Sequence, residues 1–364
     1  MFPAGPAQPI LRVAVGRAGA GARGAFPGDP PMMTRTSRFA LLVALALLAV
    51  AARAEMSEIK VAQQYGISYL PLMIMEEQKL IEKHAKAAGV DVKVGWAKFA
   101  GGNVMNDALL SNSLQLASGG VAPFLTLWGR TRGNLDVKAV SAINSMPIYL
   151  NTRNPNVKSI RDFTEKDRIA LPAVKVSIQA VTLQMAAEKA FGEGQHGKLD
   201  PLTVSLSHPD GQVALLSGAS EITAHFSSPP FQYQQLEKPG IRTVLNSYDV
   251  LGGPATFNVV WTTSKFRNEN PKLYDAFVKA LDEATALING DRKAAAEAYL
   301  RIAKDKDTVA DILAMLNDPL IVYTTTPQNV MKYVDFMAKV GAIKVKPDSW
   351  KDLFFPNIHG AAGS

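Results

Sequence analysis

The sequence predicts an α/β protein with two lobes, each built on a mainly parallel sheet flanked by helices. Three observations support this fold class. Strand-like and helix-like apolar patterns alternate along most of the chain. The chain has 364 residues, and the roughly 310 that follow its leader exceed the usual size of one domain. No linker rich in Gly, Ser or Pro interrupts this portion, so we expect β-strands to cross directly between the lobes.

The composition is that of a globular protein, with 47% hydrophobic residues, 20% charged residues and no cysteine. The absence of cysteine excludes a disulfide framework, thiol catalysis, cysteine-ligated zinc, iron–sulfur clusters and lipid attached through an N-terminal cysteine. Six of the 39 Lys and Arg residues and one of the 32 Asp and Glu residues lie in residues 1–54, which leaves a net charge of +2 for residues 55–364. The basic balance is therefore mostly in the leader, and we expect no nucleic-acid partner.

Residues 32–54 have the three parts of a secretory signal peptide. A short cationic stretch at 32–38 precedes the apolar run Phe39–Ala52, and Ala52-Arg53-Ala54 provides small residues at a cleavage site. The apolar run has 14 residues, whereas a spanning helix needs roughly 20. We predict cleavage after Ala54 and export to the periplasm; an anchor that is never cleaved is the alternative.

The first 31 residues consist largely of Gly, Ala, Pro and Arg. They lack hydrophobic periodicity, so residues 1–31 are predicted to be a disordered extension.

Strands and helices alternate through the first lobe. Glu58–Ala62 alternates polar and apolar residues as a strand does, Pro71 is a favoured first helical residue, and Asn103 is a suitable N-cap. In order, we predict strand 58–62, a helix from 71 to 89, strand 90–96, helix 103–110, strand 114–118, helix 123–128 and strand 137–143.

A second strand–helix series follows Met146-Pro147, and a mostly helical segment completes the chain. The predicted elements are strand 168–171, helix 177–191, strand 203–206, helix 210–216, strands 221–226, 243–245 and 255–262, and helices 271–287, 292–303, 309–316 and 327–340. We therefore assign residues 55–146 to the first part of lobe 1, 147–254 to lobe 2 and 255–364 to the return to lobe 1.

Three turns that follow predicted strands suit an anion or a polar head group. They are Gly101-Gly102-Asn103, Ser177-Ile178-Gln179 and Ser227-Ser228-Pro229. A helix N-terminus offers unpaired N–H groups and about half a positive charge, and ligands of α/β sheets bind at the carboxyl ends of the strands. Each turn taken alone is more simply explained as an ordinary helix cap, and the binding interpretation gains support because all three turns follow strands.

The histidines do not form a recognisable catalytic or metal-binding pattern. The sequence has five histidines, with no pair at i and i+4 spacing, no Glu at metalloprotease spacing and no G-x-S-x-G motif. His84 lies between lysines and is predicted to be solvated. His225 ends an apolar strand and is either a ligand contact or a buried histidine bonded to the backbone.

Two other groups have competing interpretations. Tyr65, Ser68 and Tyr69 lie in the first strand-to-helix loop, where they are either pocket residues or part of the core. Lys304–Lys306 alternates lysine with aspartate and is predicted to be a solvated surface.

Five segments taken in order resemble one known family, the substrate-binding proteins of ABC transporters for nitrate, sulfonates and taurine (the SsuA/THI5-like, or NMT1-like, family). The resemblance covers residues 57–350. It is carried by Ile59-Lys60-Val61-Ala62, Tyr69-Leu70-Pro71-Leu72, Gly101-Gly102-Asn103, the segment 109–117 and Ser177-Ile178-Gln179-Ala180.

The resemblance implies a type II periplasmic binding protein fold, in which two crossing strands join the lobes and the lobes close on a ligand. The ligand contacts that it implies are, in lobe 1, Tyr65, Ser68, Tyr69, Gly101, Gly102, Asn103, Gly120 and Val121; in lobe 2, Ser177, Gln179, His225 and Ser227; and near the return crossing, Gly253, Pro254 and Thr256.

The sequence departs from the family at two places. Asn112 stands where glycine is common, and Leu114-Gln115-Leu116 lacks the usual acidic residue. No arginine occupies the cleft positions, which weakens the expectation of a fully charged ligand. A neutral or weakly anionic ligand, with an aromatic part given Tyr65 and Tyr69, stays open.

The function that the resemblance implies is a periplasmic receptor of an ABC importer, which delivers a small organic or oxyanionic ligand to the transmembrane permease subunits. We expect a monomer that uses no cofactor or metal and catalyses no reaction. The alternatives are a pyrimidine-synthesis-like enzyme on the same fold and a ligand sensor for a membrane kinase.

Overall fold

The structure of the protein is a computed structural model that describes residues 55–364. The predicted extension at 1–31 and the signal peptide at 32–54 lie outside the described residues. The strands are β1 (Glu58–Gln63), β2 (Lys93–Lys98), β3 (Ala117–Gly120), β4 (Lys138–Ala142), β5 (Asn144–Ser145), β6 (Tyr149–Thr152), β7 (Ile169–Leu171), β8 (Thr203–Ser205), β9 (Ala224–Ser227), β10 (Arg242–Asn246), β11 (Asn258–Thr262) and β12 (Val322–Tyr323).

The α-helices cover the sheets and make up most of the C-terminal portion. They are α1 (Leu70–Glu77), α2 (Leu80–Ala87), α3 (Gly102–Leu110), α4 (Val121–Arg130), α5 (Ile178–Phe191), α6 (His208–Ser217), α7 (Phe231–Leu236), α8 (Ser247–Leu251), α9 (Ser264–Glu269), α10 (Pro271–Gly290), α11 (Arg292–Ala303), α12 (Val309–Asn317), α13 (Val330–Lys339) and α14 (Trp350–Leu353). Short 3₁₀ helices cover Ile67–Tyr69, Ile160–Asp162, His196–Leu202 and Pro356–Ile358.

The strands form two groups, each with one reversed strand. A five-stranded sheet has the order β10-β6-β9-β7-β8, in which only β6 runs against the other strands. In the other group β1 pairs with β2 in parallel and meets the start of β3 through a parallel bridge, while β11 lies antiparallel between β3 and β4. The predicted mainly parallel sheets are therefore confirmed.

The position of β6 and β11 in the chain explains their reversal. Each is the first sheet strand after the chain passes from one group to the other. Such a strand enters its new sheet at the edge that faces the other group, where the parallel strands end, and it must run opposite to them. The reversed strands therefore identify the edge of each sheet that faces the cleft.

The two passing segments are hydrogen-bonded to each other. The Ile143 N–H donates to the Asn258 carbonyl at 2.9 Å, and the Phe257 N–H donates to the Asn144 carbonyl at 3.2 Å. The predicted pair of crossing strands is thus present, and β12 adds a third segment by pairing with β5. The lobe boundaries proposed at 146/147 and 254/255 are consistent with this pairing and stay predictions.

Three details of the predicted elements are wrong. The helix predicted from 71 to 89 is two helices, because Lys79 adopts a left-handed conformation with φ 51° between α1 and α2. Asn103 is not an N-cap: Gly101 takes that position in extended conformation, and Asn103 is exposed in the first turn of α3. The third turn does not cap a helix through Ser227, which ends β9, because α7 begins only after Pro229-Pro230.

One apolar cluster contains side chains from both strand groups. Trp128 and Trp261 are among its largest fully buried members. Trp96 is half-buried and packs against the same cluster. Burial of this continuous apolar surface supplies most of the stabilisation that holds the cleft residues in place.

Between Glu55 and Ser364, none of the helices combines the length and the apolar character that a bilayer-spanning helix needs.

Candidate functional site

A small cavity lies where the two strand groups face each other. Its volume is about 20 Å³, which accommodates about one water molecule. None of its lining residues is Lys, Arg, Asp or Glu. The lining residues are Gln64, Tyr69, Gly102, Gly120, Pro123, Pro172, Ser177, Ile178, Gln179, His208, Phe257 and Asn258. We refer to it as the cleft cavity.

Four helices direct their N-termini to the cleft cavity. Gly102 is the first residue of α3, Gly120 is the N-cap of α4, Ser177 is the N-cap of α5, and His208 is the first residue of α6. Each helix has at least nine residues, so each contributes unpaired N–H groups and about half a positive charge at this end. The cavity is therefore electropositive without a basic side chain.

Ser177 is the best-defined of these caps. Its Oγ accepts a hydrogen bond from the Ala180 N–H at 3.2 Å and donates one to the Ala173 carbonyl at 2.8 Å. The prediction that Ser177 opens the helix is confirmed, and its hydroxyl is held by backbone groups on both sides.

The N-termini of α4 and α5 touch across the cleft at Gly120. A Cβ at this position would lie 2.6 Å from Ile178 Cγ2 and 2.7 Å from Ile178 Cβ. Both distances are shorter than real carbon–carbon contacts, so only glycine permits this approach.

Tyr69 and Asn258 supply polar side-chain atoms from the lobe 1 side. The Tyr69 hydroxyl donates to Asn258 Oδ1 at 3.3 Å, and both residues are buried. Among the described residues, Asn258 Nδ2 has no hydrogen-bond partner. Burial also raises the pKa of the Tyr69 hydroxyl well above its usual value, so the hydroxyl keeps its proton. A buried donor without a partner in a cavity wall suits a ligand that presents an acceptor.

Two buried histidines lie on the lobe 2 side of the cleft cavity: His208 is part of its wall and His225 lies behind it. His208 Nδ1 is 3.2 Å from His225 Nε2, and the opposite nitrogens face Gln179 and Gln235. Burial lowers the pKa of His208 to about 3, and burial together with the neighbouring His208 lowers the pKa of His225 well below its usual value. Both imidazoles are therefore neutral at physiological pH.

A second, larger cavity of about 370 Å³ lies next to the cleft cavity and shares Gln64 with it. Its walls include Tyr65, Phe231 and Lys304–Lys306. Lys304 and Lys306 are exposed, as predicted for a solvated surface, whereas Asp305 is half-buried and accepts hydrogen bonds from Tyr299 and Gln234. The charged residues Lys304–Lys306 line the larger cavity because α11 ends beside it.

The structure brings five of the predicted contacts together in the cleft cavity: Tyr69, Gly102, Gly120, Ser177 and Gln179. Tyr65 lines the larger cavity. Nine others lie outside both cavities; these are Ser68, Gly101, Asn103, Val121, His225, Ser227, Gly253, Pro254 and Thr256.

Several of these nine have other surroundings that account for them. Asn103 and Pro254 are exposed, whereas Thr256 Oγ1 is buried and accepts from the Gln328 N–H at 2.8 Å. His225 is fully buried, which matches the interpretation of a buried histidine, although its partners are side chains rather than backbone. His84, predicted to be solvated, is partly exposed and lies 2.7 Å from Glu283.

Three further residues of the cavity wall, His208, Gln64 and Asn258, were not predicted from the sequence. His208 had a usable signal, because it follows a strand and a serine cap in the same way as Ile178 does. Gln64 and Asn258 had none, since a buried polar residue at a strand end resembles any other strand residue in sequence.

Comparison with known proteins gives both a family and a fold. The NMT1-like family matches residues 52–303. No curated protein matches the chain. Among solved structures, the alkanesulfonate-binding protein SsuA from Xanthomonas axonopodis pv. citri bound to MOPS is 17% identical with a TM-score of 0.64, and the alignment covers 83% of this chain and 97% of that chain.

Two further structures give the same result. The periplasmic aliphatic sulphonate binding protein SsuA from Escherichia coli is 17% identical with a TM-score of 0.59, covering 83% of this chain and 92% of that one. The periplasmic nitrate-binding protein NrtA from Synechocystis PCC 6803 is 14% identical with a TM-score of 0.62, covering 81% and 84%. These likenesses confirm the predicted two-lobed periplasmic binding protein fold.

Proposed function

Because the chain belongs to the NMT1-like family, we propose that it is a solute-binding receptor that captures a small organic or oxyanionic ligand in the cleft. The convergence of four helix N-termini on one cavity carries this proposal. Such N-termini attract the oxygens of an anion or of a polarised carbonyl, and they do so without basic side chains. The absence of arginine at the cleft positions is therefore compatible with an anionic head group.

The chemistry of the wall supports binding rather than catalysis. Tyr69 and His208 are the titratable residues among those that line the cleft cavity. Burial shifts both pKa values away from neutrality, upward for Tyr69 and to about 3 for His208. A general acid or base works best with a pKa near the operating pH, so neither side chain is suited to proton transfer there.

Delivery to a membrane permease is the transport step that we propose for this receptor. The neighbours SsuA and NrtA are periplasmic binding proteins, and the predicted export of this chain, with cleavage of its leader, fits that setting. The ligand contacts that we propose are the five predicted residues in the cleft cavity together with Gln64, His208 and Asn258.

A thermal-shift screen tests the proposal. Sulfonates, nitrate, carboxylates, aromatic acids and pyrimidines are added in turn to purified protein. A ligand at about 1,000 times its Kd adds roughly 4 kcal/mol to the free energy of unfolding. A large rise in Tm with one chemical class supports a receptor. No rise with any class, in protein that native mass spectrometry shows to be empty, contradicts it; product formation from a bound compound favours the enzyme instead.

Ser177→Ala shows whether the bound compound lies in the cleft cavity. Loss of the cap costs about 1 kcal/mol of stability and removes a wall hydroxyl, so we expect weaker binding by isothermal titration calorimetry. Thr263→Ala is the matched control, because Thr263 caps α9 through a 3.0 Å bond from the Phe266 N–H and lies outside the cavity. Equal affinity in both variants would mean that the ligand binds elsewhere.

A further inference from the structure

Four buried side chains form a continuous row that ends at the cleft cavity. Gln235 Nε2 lies 2.8 Å from His225 Nδ1, His225 Nε2 lies 3.2 Å from His208 Nδ1, and His208 Nε2 lies 3.3 Å from the Gln179 amide. All four are at least 95% buried. Only Gln179 and His208 reach the cavity, so the other two act through them.

The far end of the row has a fixed hydrogen-bond direction. Asn151 Nδ2 donates to the Gln232 backbone carbonyl at 2.9 Å, and a carbonyl can only accept. The same Nδ2 lies 3.1 Å from Gln235, which must therefore present Oε1 to it. Gln235 consequently turns its Nε2 towards His225 and donates to the ring.

This donation fixes the tautomers of both histidines in turn. His225 accepts at Nδ1, so the neutral ring carries its proton on Nε2 and donates to His208 Nδ1. His208 then accepts at Nδ1 and carries its own proton on Nε2, which points at Gln179. The lowered pKa values of both rings support this neutral arrangement.

Gln179 must receive that proton with its oxygen. Two N–H donors facing each other at 3.3 Å would leave a buried donor without a partner, which costs about 1–3 kcal/mol. Exchanging the amide nitrogen and oxygen, which have nearly the same shape, removes this conflict. Gln179 Oε1 then accepts from His208, and Gln179 Nε2 turns its N–H towards the cavity.

We propose that Gln179 is a specificity-determining residue whose amide N–H is aimed into the cleft by the positioning residues His208, His225 and Gln235. Beside Gln179 the cavity then selects an oxygen that can only accept a hydrogen bond, such as that of an oxyanion or a carbonyl, and rejects a group that donates one. The inference rests on the proposed function for its ligand and deepens it by naming the chemistry of one contact.

The surrounding structure allows the two histidine rings to approach each other and holds them in place. A Cβ at Gly211 on α6 would lie 2.8 Å from His225 Nε2, so glycine lets the helix come close enough for the two rings to meet. His208 also stacks on Phe231, with ring centroids 5.6 Å apart and an interplanar angle of 28°. These contacts fix the rings in one orientation.

Nitrogen-15 NMR of the ligand-free full chain tests the relay directly. We expect both His208 and His225 to be neutral Nε2–H tautomers, identified through ¹⁵N shifts and assigned by substitution. Gln235→Met removes the donor to His225 and should convert the pair to a mixture of tautomers. An Nδ1–H tautomer in either wild-type ring overturns the relay, and this holds whether or not the protein is a receptor.

The aim of the Gln179 amide is tested with two probes of similar shape, ethanesulfonate and ethanesulfonamide. We expect ethanesulfonate to shift the Gln179 side-chain amide resonance. Ethanesulfonamide, which replaces one of the three sulfonate oxygens by an NH2 donor and carries no charge, should have a smaller effect. Gln179→Met should weaken ethanesulfonate binding by about tenfold, the loss of one hydrogen bond to a charged group.

Gln184→Met is the control for that experiment. Gln184 lies on the same helix, is also buried and donates to the Asp200 carboxylate at 3.0 Å, away from both cavities. Its substitution should leave ethanesulfonate affinity within about twofold of wild type. Two outcomes would overturn the proposed contact: an equal loss of ethanesulfonate affinity in both variants, or no shift of the Gln179 amide resonance with either probe. Neither outcome affects the tautomer measurement or the thermal-shift screen with other ligand classes.

Discussion

His208 and His225 are buried as neutral rings, and this ties the stability of the protein to pH. Their usual pKa is 6.5, whereas in the folded protein the pKa of His208 is about 3 and that of His225 is well below 6.5. Between these values the unfolded chain binds protons that the folded chain does not. Their contribution to stability is therefore complete above pH 6.5 and decreases as the pH falls towards 3.

We expect the free energy of unfolding to fall by up to about 1.4 kcal/mol per pH unit for each of these histidines below pH 6. Urea unfolding at a series of pH values measures this slope. His208→Phe, which can still stack on Phe231, should have a shallower slope than wild type over the same range. The difference between the two curves isolates the histidine, because the carboxylates are common to both proteins; identical slopes would contradict the assignment.

At the scale of elements, the cleft depends on how closely the N-termini of α4 and α5 approach. Gly120 gives this contact its short distance, and the two helices also meet α13, where the Tyr333 hydroxyl lies 3.1 Å from Thr182 Oγ1. Because both helices start at the cleft, any atom inserted between Gly120 and Ile178 separates the two halves of the ligand wall.

We expect Gly120→Ala to hold α4 and α5 apart and to weaken binding of the screened ligand at least tenfold, with a loss of about 1–3 kcal/mol of stability from overpacking. Gly120 has φ −60°, so alanine introduces no backbone strain. Calorimetry and thermal unfolding measure the two effects.

Two variants make that result specific. Gly129 is also on α4, and a Cβ at this position would meet nothing closer than Ile343 at 3.7 Å. Gly129→Ala should therefore leave ligand affinity unchanged. In the double variant Gly120→Ala/Ile178→Gly the Ile178 Cβ is absent, so ligand affinity should recover in part relative to Gly120→Ala alone. Normal binding in Gly120→Ala alone would show that this contact does not limit closure.

At the scale of the whole molecule, residues 55–364 adopt a closed arrangement. The cleft cavity holds only about 20 Å³, and the Ile67 N–H donates across the cleft to the Pro229 carbonyl at 3.2 Å. An organic ligand cannot enter so small a space, so the lobes must separate to admit it and close again around it.

We expect the ligand-free protein to sample an open state and the bound protein to be more compact. Small-angle X-ray scattering should show a smaller radius of gyration on addition of a compound that raises the Tm. Gly120→Ala should reduce this change, since it opposes closure. A radius that is unchanged at saturation in wild type would argue for a rigid site that is filled from the larger neighbouring cavity.

The sequence by itself determined the elements and their order. The alternation at Glu58–Ala62, the serine cap at Ser177 and the glycines at the first cleft turn are local signals, because capping and strand periodicity depend on neighbouring residues. They were sufficient for the order of the elements, whereas the five residues of the cleft cavity were implied by the resemblance to a known family. Local signals failed where the tertiary structure overrode them, as at Asn103 and at Lys79.

Only the tertiary structure decided how polar side chains combine. His208 and His225 meet because α6 packs on β9 through Gly211, and Gln235 joins them from another helix. Their direction of donation depends on a backbone carbonyl at Gln232, several side chains away. Neither burial nor hydrogen-bond direction is a property of a residue and its sequence neighbours, since both arise from which surfaces the folded chain brings into contact.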